Sequence, residues 1–72
     1  MENTREKLLK EESALMNKIN KLHAFINSDK FNEVSKKQRK LLKKQNKVMI
    51  KYNKILCMRI ADLGEVEYAE AD

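Results

Sequence analysis

The sequence has no proline and no tryptophan, and only one glycine, one cysteine and one histidine among its 72 residues. Each shortage closes off a class of protein. A lone cysteine can form no disulfide within the chain, and nothing suggests a structural zinc. There is no glycine-rich phosphate loop and no nucleophile with a base at a recognisable spacing, so an enzyme is not expected and no cofactor is implied. No apolar run approaches the roughly 18 residues of a membrane span. The N-terminus, Met1-Glu2-Asn3-Thr4-Arg5, lacks the apolar core of a signal peptide. The expected setting is a reducing cytoplasm, with Cys57 a reduced, half-buried small hydrophobe.

What remains is helical patterning. Between Val34 and Leu63 nothing breaks a helix, and the apolar residues recur at helical spacing. Leu41, Val48 and Ile55 form one row with a seven-residue step, and Leu42, Met49, Leu56 and Leu63 form a second. Together they predict the seam of a helix packed against a partner. Gln38, Gln45, Tyr52 and Arg59 make a third row beside the first, bringing polar atoms onto an otherwise apolar face. Lys36, Lys40, Lys43, Lys47, Lys51 and Lys54 fill the opposite side as a continuous basic stripe.

In chain order, Asn3 and Glu6 have the spacing of a capping box, so a first helix is expected over about 4–27. Leu8, Leu15 and Leu22 alternate with Ile19 and Ile26 in coiled-coil fashion, interrupted by Glu12. Met16, His23 and Phe25 widen the stripe beyond a two-helix contact. Residues 28–34 are rich in turn formers and read as the connection, with Phe31 tucking back onto the hairpin. Ser35 and Gln38 repeat the capping-box spacing, so the second helix is expected over about 35–63, with Gly64 as its C-terminal stop. Residues 65–72 read as a mobile acidic tail able to brush the lysine stripe.

The fold class this implies is all-α: an antiparallel two-helix hairpin, coiled-coil-like. Each ordered residue costs about 1.5 kcal/mol of conformational entropy, and two helices touching along one face bury too little apolar surface to offset that. Copies of the chain are therefore expected to assemble into a homo-oligomeric helical bundle.

The net charge of +5 is unevenly spread. Residues 1–29 balance five basic against five acidic side chains, residues 30–59 hold eleven basic and one acidic, and residues 60–72 hold five acidic and no basic. The lysine stripe reads either as a solvated face or as a track for a phosphate backbone, and a nucleic-acid or protein adaptor is the alternative function it supports. The row Gln38, Gln45, Tyr52, Arg59 has two readings of its own. Polar residues there can set helix register or oligomer state. The sharper reading is a ligand pocket at a subunit interface: Arg59, set between Ile55, Leu56 and Ile60, would pair with an anion, and Tyr52 would stack on a base. Phe25 and Lys21 lie near the end of the first helix, where the hairpin faces the start of the second. His23 has no carboxylate or second histidine at a metal-like spacing and reads as a boundary residue.

Taken together, Leu22-x-x-Phe25-Ile26, Phe31, Leu41-Leu42-x-x-Gln45, Met49-x-x-Tyr52 and Ile55-Leu56-x-x-Arg59-Ile60 resemble a group of short phage proteins named after a crAss-like phage open reading frame. The likeness covers about residues 15–63. More loosely, the chain is similar to the helical-hairpin sponges that phages use against CBASS and Thoeris immunity. Those small helical proteins oligomerise and hold cyclic nucleotide signals in pockets between subunits. The resemblance implies a non-catalytic protein of the host cytoplasm that sequesters a cyclic oligonucleotide or cyclic ADP-ribose type of signal. Arg59 would meet phosphate, Tyr52 and Phe25 would pack on base or ribose, and Gln45 and Lys21 would assist. Some sponge families carry a Tyr-Arg pair near the N-terminus; here Arg5 follows Thr4.

Overall fold

A computed structural model describes the backbone of residues 3–71 and the side chains of residues 3–64. Two antiparallel α-helices, α1 (Thr4–Ile26) and α2 (Lys36–Ala71), are joined through a short 3-10 helix at Asp29–Glu33. The molecule is a rod of 56 × 19 × 16 Å with a radius of gyration of 16.5 Å, where a compact domain of this length would have about 11 Å. Its core is therefore a single seam between two helices.

The helix starts follow from local chemistry. Asn3 Oδ1 accepts from the Glu6 N–H at 2.8 Å, matching one of the donors that a helix start leaves unpaired. Ser35 Oγ accepts from the Gln38 N–H at 3.2 Å, and its carbonyl accepts from the Arg39 N–H at 2.9 Å. At the end of α1, Asn27 Nδ2 donates to the His23 carbonyl at 3.0 Å and Ser28 Oγ to the Phe25 carbonyl at 2.6 Å, each beside the backbone N–H of the same residue, so side chain and backbone close the helix end together. Phe31 then folds back from the 3-10 helix. It is buried, and its ring stands perpendicular to that of Phe25 with centroids 5.9 Å apart, closing the apolar seam at the turn.

The C-terminal stop expected at Gly64 is not taken. α2 continues through Gly64 to Ala71, and Gly64 does not adopt the left-handed conformation that such a stop requires. What the glycine provides is space, since a Cβ there would sit 3.4 Å from Arg5 Nε of α1. The backbone of 65–71 thus extends the rod instead of forming a separate tail, while the expected contact between its acidic side chains and the lysine stripe lies outside the described residues.

The seam also differs from the expected one. Leu8, Leu15 and Ile19 of α1 are buried against Leu56, which has no exposed surface, with Met49, Ile60 and Leu63 packed alongside. On α2 the row Leu42, Met49, Leu56, Leu63 does face α1, but its companion is Arg39, Asn46, Asn53, Ile60. Leu41, Val48 and Ile55 instead point away from α1 and are 47%, 59% and 53% exposed. The reason lies in helix geometry. Neighbouring residues are about 100° apart, so burying both the Leu41 row and the Leu42 row would centre Gln38, Gln45, Tyr52 and Arg59 in the contact. Centring a tyrosine hydroxyl and a guanidinium there costs more than admitting two short asparagines, with Arg39 only partly buried at the end of their row. The helix turns accordingly, leaving Asn46 Oδ1 and Asn53 Oδ1 as buried acceptors without partners. Cys57, expected to be half-buried, is exposed, with Asn53 Nδ2 3.9 Å from its Sγ.

Candidate functional site

The row Gln38, Gln45, Tyr52, Arg59 runs along one edge of the hairpin, between the buried Leu42 row and the open Leu41 row. Tyr52 marks where this edge meets α1: its hydroxyl donates to a carboxylate oxygen of Glu11, 41 residues away in sequence. Although the ring is 44% exposed, that bond ties the two helices together across the edge. The antiparallel register that pairs Tyr52 with Glu11 sets Gln45 opposite Lys18 and Arg59 opposite Thr4. Gln45 is exposed, with Nε2 4.0 Å from Met49 Sδ.

Arg59 is exposed, so the desolvation cost expected from its apolar neighbours does not arise within one chain. Phe25 is half-buried and committed to Phe31, and Lys21, one turn earlier on α1, is exposed. Lys21 and Phe25 are at the turn end of the rod, and Arg59 is opposite the start of α1. With a rise of about 1.5 Å per residue, these groups are about 30 Å apart along the axis. Gln45, opposite Lys18, lies within about two turns of Lys21 and Phe25 and about 21 Å from Arg59, so one chain strings the five residues along the hairpin without gathering them into one site.

Two concavities formed by the described residues stand out, and neither is lined by the five candidate residues. One, of about 540 Å³, lies at the turn end against Phe31, Lys36, Arg39, Lys40 and Lys43. The other, of about 580 Å³, lies on the outer face of α2 and is lined by Leu41 and five lysines, Lys37, Lys40, Lys43, Lys44 and Lys47. Among the described residues, no three His, Cys, Asp or Glu side chains gather where they could hold a metal ion, and no helix is long and apolar enough to cross a membrane.

Three features escaped the sequence reading. Glu11 as the partner of Tyr52 is a long-range pairing that no local pattern reports. The polar seam row Arg39, Asn46, Asn53 could have been found, because it has the same seven-residue step as the apolar rows and ends on Ile60. The convergence of Lys36, Arg39, Lys40 and Lys43 on the turn required knowing where Phe31 lands.

A family model described as Sequestin matches residues 2–62, which takes in all of α1, the turn and α2 up to the residue before Leu63. No curated protein and no solved structure matches the chain. With most of its length inside that match, all of α1 and the greater part of α2 included, the chain belongs to the Sequestin family.

Proposed function

We propose that the protein is a phage-encoded sponge that sequesters a nucleotide-derived immune signal, of the cyclic oligonucleotide or cyclic ADP-ribose type, in the cytoplasm of an infected host. The observation that carries this reading is the open apolar row Leu41, Val48, Ile55 directly beside the edge that holds Gln45, Tyr52 and Arg59. A second copy covering that row removes water from the edge and turns an exposed arginine into a desolvated anion-binding group. An antiparallel arrangement of the copies also brings Lys21 and Phe25 of one chain towards Tyr52 and Arg59 of the other, uniting the five residues that a single chain keeps apart. The family's name, one of sequestration, supports binding without turnover.

In this arrangement Arg59 pairs with phosphate through its two-pronged guanidinium, Tyr52 and Phe25 pack on base or ribose, and Gln45 and Lys21 supply further donors. No bond is made or broken. A thermal-shift screen with cyclic dinucleotides, cyclic trinucleotides and ADP-ribose derivatives tests it. A ligand at 100 times its Kd adds about 2.7 kcal/mol. The expected result is a shift with one of these classes that disappears in Arg59→Ala while the oligomer persists, with the ligand recovered intact after denaturation. No shift with any class, or recovery of an altered ligand, contradicts the proposal.

The groove with five lysines gives a second reading its own footing, that of an adaptor for nucleic acid or an acidic protein. That reading requires binding to be lost in Lys43→Glu with Lys47→Glu and kept in Arg59→Ala.

A further inference from the structure

The depression at the turn end is separate from the Arg59 edge. Arg39 and Arg59 are twenty positions apart on one helix, about 30 Å along its axis, so one small ligand cannot touch both in the same chain. Lys36, Arg39, Lys40 and Lys43 line this depression together with the apolar Ile26 and Phe31, and no carboxylate lines it. Four cations thus converge within the first two turns of α2, whose first turn has no acidic residue to oppose the positive end of the helix dipole. Lys43 is partly placed already, with Nζ 5.8 Å from the Phe31 ring centroid. Arg39 Nε is closed off from solvent with no hydrogen-bond partner. Like charges gathered over an apolar floor are a poor arrangement for an empty protein and a good one for a compact anion.

We propose that this depression binds a ligand with two or more adjacent phosphoryl groups, either inorganic polyphosphate or the polyphosphate of a nucleotide. Arg39 supplies planar, directional donors, the three lysines supply point charge, and Ile26 and Phe31 offer a surface for any attached base.

Calorimetric titration of the full chain with inorganic tripolyphosphate and with ATP tests the proposal, with circular dichroism confirming that each variant is folded. Saturable binding is expected, weakened by about tenfold or more in Lys36→Met with Lys40→Met and, separately, in Arg39→Lys. Lys51→Met with Lys54→Met, further along the stripe, leaves it unchanged, as does Arg59→Ala, so the outcome is independent of the sponge reading. Tighter binding of ATP assigns the site to nucleotides, and equal affinities assign it to inorganic polyphosphate. Equal weakening by the distant lysine pair, affinity that climbs with oligonucleotide length, or absence of saturable binding overturns it.

Discussion

Gly64 shows how one position reports the path of a helix. As a left-handed stop it would resist any side chain, because a Cβ is strained in that conformation. Inside a continuous helix the sign reverses: glycine costs about 0.5–1 kcal/mol relative to alanine. The nearest atoms to an added methyl belong to the far end of the Arg5 side chain, which can move. Gly64→Ala is therefore expected to raise the thermal midpoint, by about 4–8 °C per kcal/mol gained, in melts at a fixed protein concentration. A lower midpoint would restore the stop that the sequence suggested. The caps, by contrast, were legible from the sequence because Asn3–Glu6 and Ser35–Gln38 act within one turn of chain. The Tyr52–Glu11 bond was not, since it depends on how two helices meet.

At the scale of the element, α2 has two apolar stripes and α1 covers one of them. Periodicity located both stripes but could not rank them, because Leu41, Val48 and Ile55 are as apolar as the row that is buried. The polarity of the residues lying between the rows decides the matter: Gln38, Gln45, Tyr52 and Arg59 stay at the edge, and two asparagines with part of Arg39 enter the seam. The outward stripe then has a checkable role. Covering a valine or isoleucine contributes about 1.5–3 kcal/mol, so Val48→Lys with Ile55→Lys is expected to lower the thermal midpoint and abolish its dependence on protein concentration. If both residues are simply solvated, the midpoint moves by no more than surface substitutions usually do, about 0.5 kcal/mol, and its concentration dependence is unchanged. Of the candidate site, the sequence revealed that Gln45, Tyr52 and Arg59 share a row. It also placed Lys21 and Phe25 at the turn end, but could not show that Tyr52 is tied to Glu11, since that depends on the register in which the two helices meet.

The whole molecule is a rod one seam thick, with its basic charge concentrated in the turn and the first part of α2. Among the described residues five apolar side chains are buried, one of them Phe31 at the turn. A seam that also admits Asn46, Asn53 and part of Arg39 gains little from its polar members, so the open stripe is where further stability is available. In the proposed function, association of copies and formation of the signal-binding crevice are one event, with Tyr52 and Arg59 at the margin of the surface that a second copy would cover. Sedimentation velocity of the wild-type chain across micromolar concentrations tests this directly. A dimer or larger species that dissociates on dilution, and that the Val48→Lys and Ile55→Lys pair reduces to single chains, is the expected result; a fully helical single chain at every concentration would contradict it.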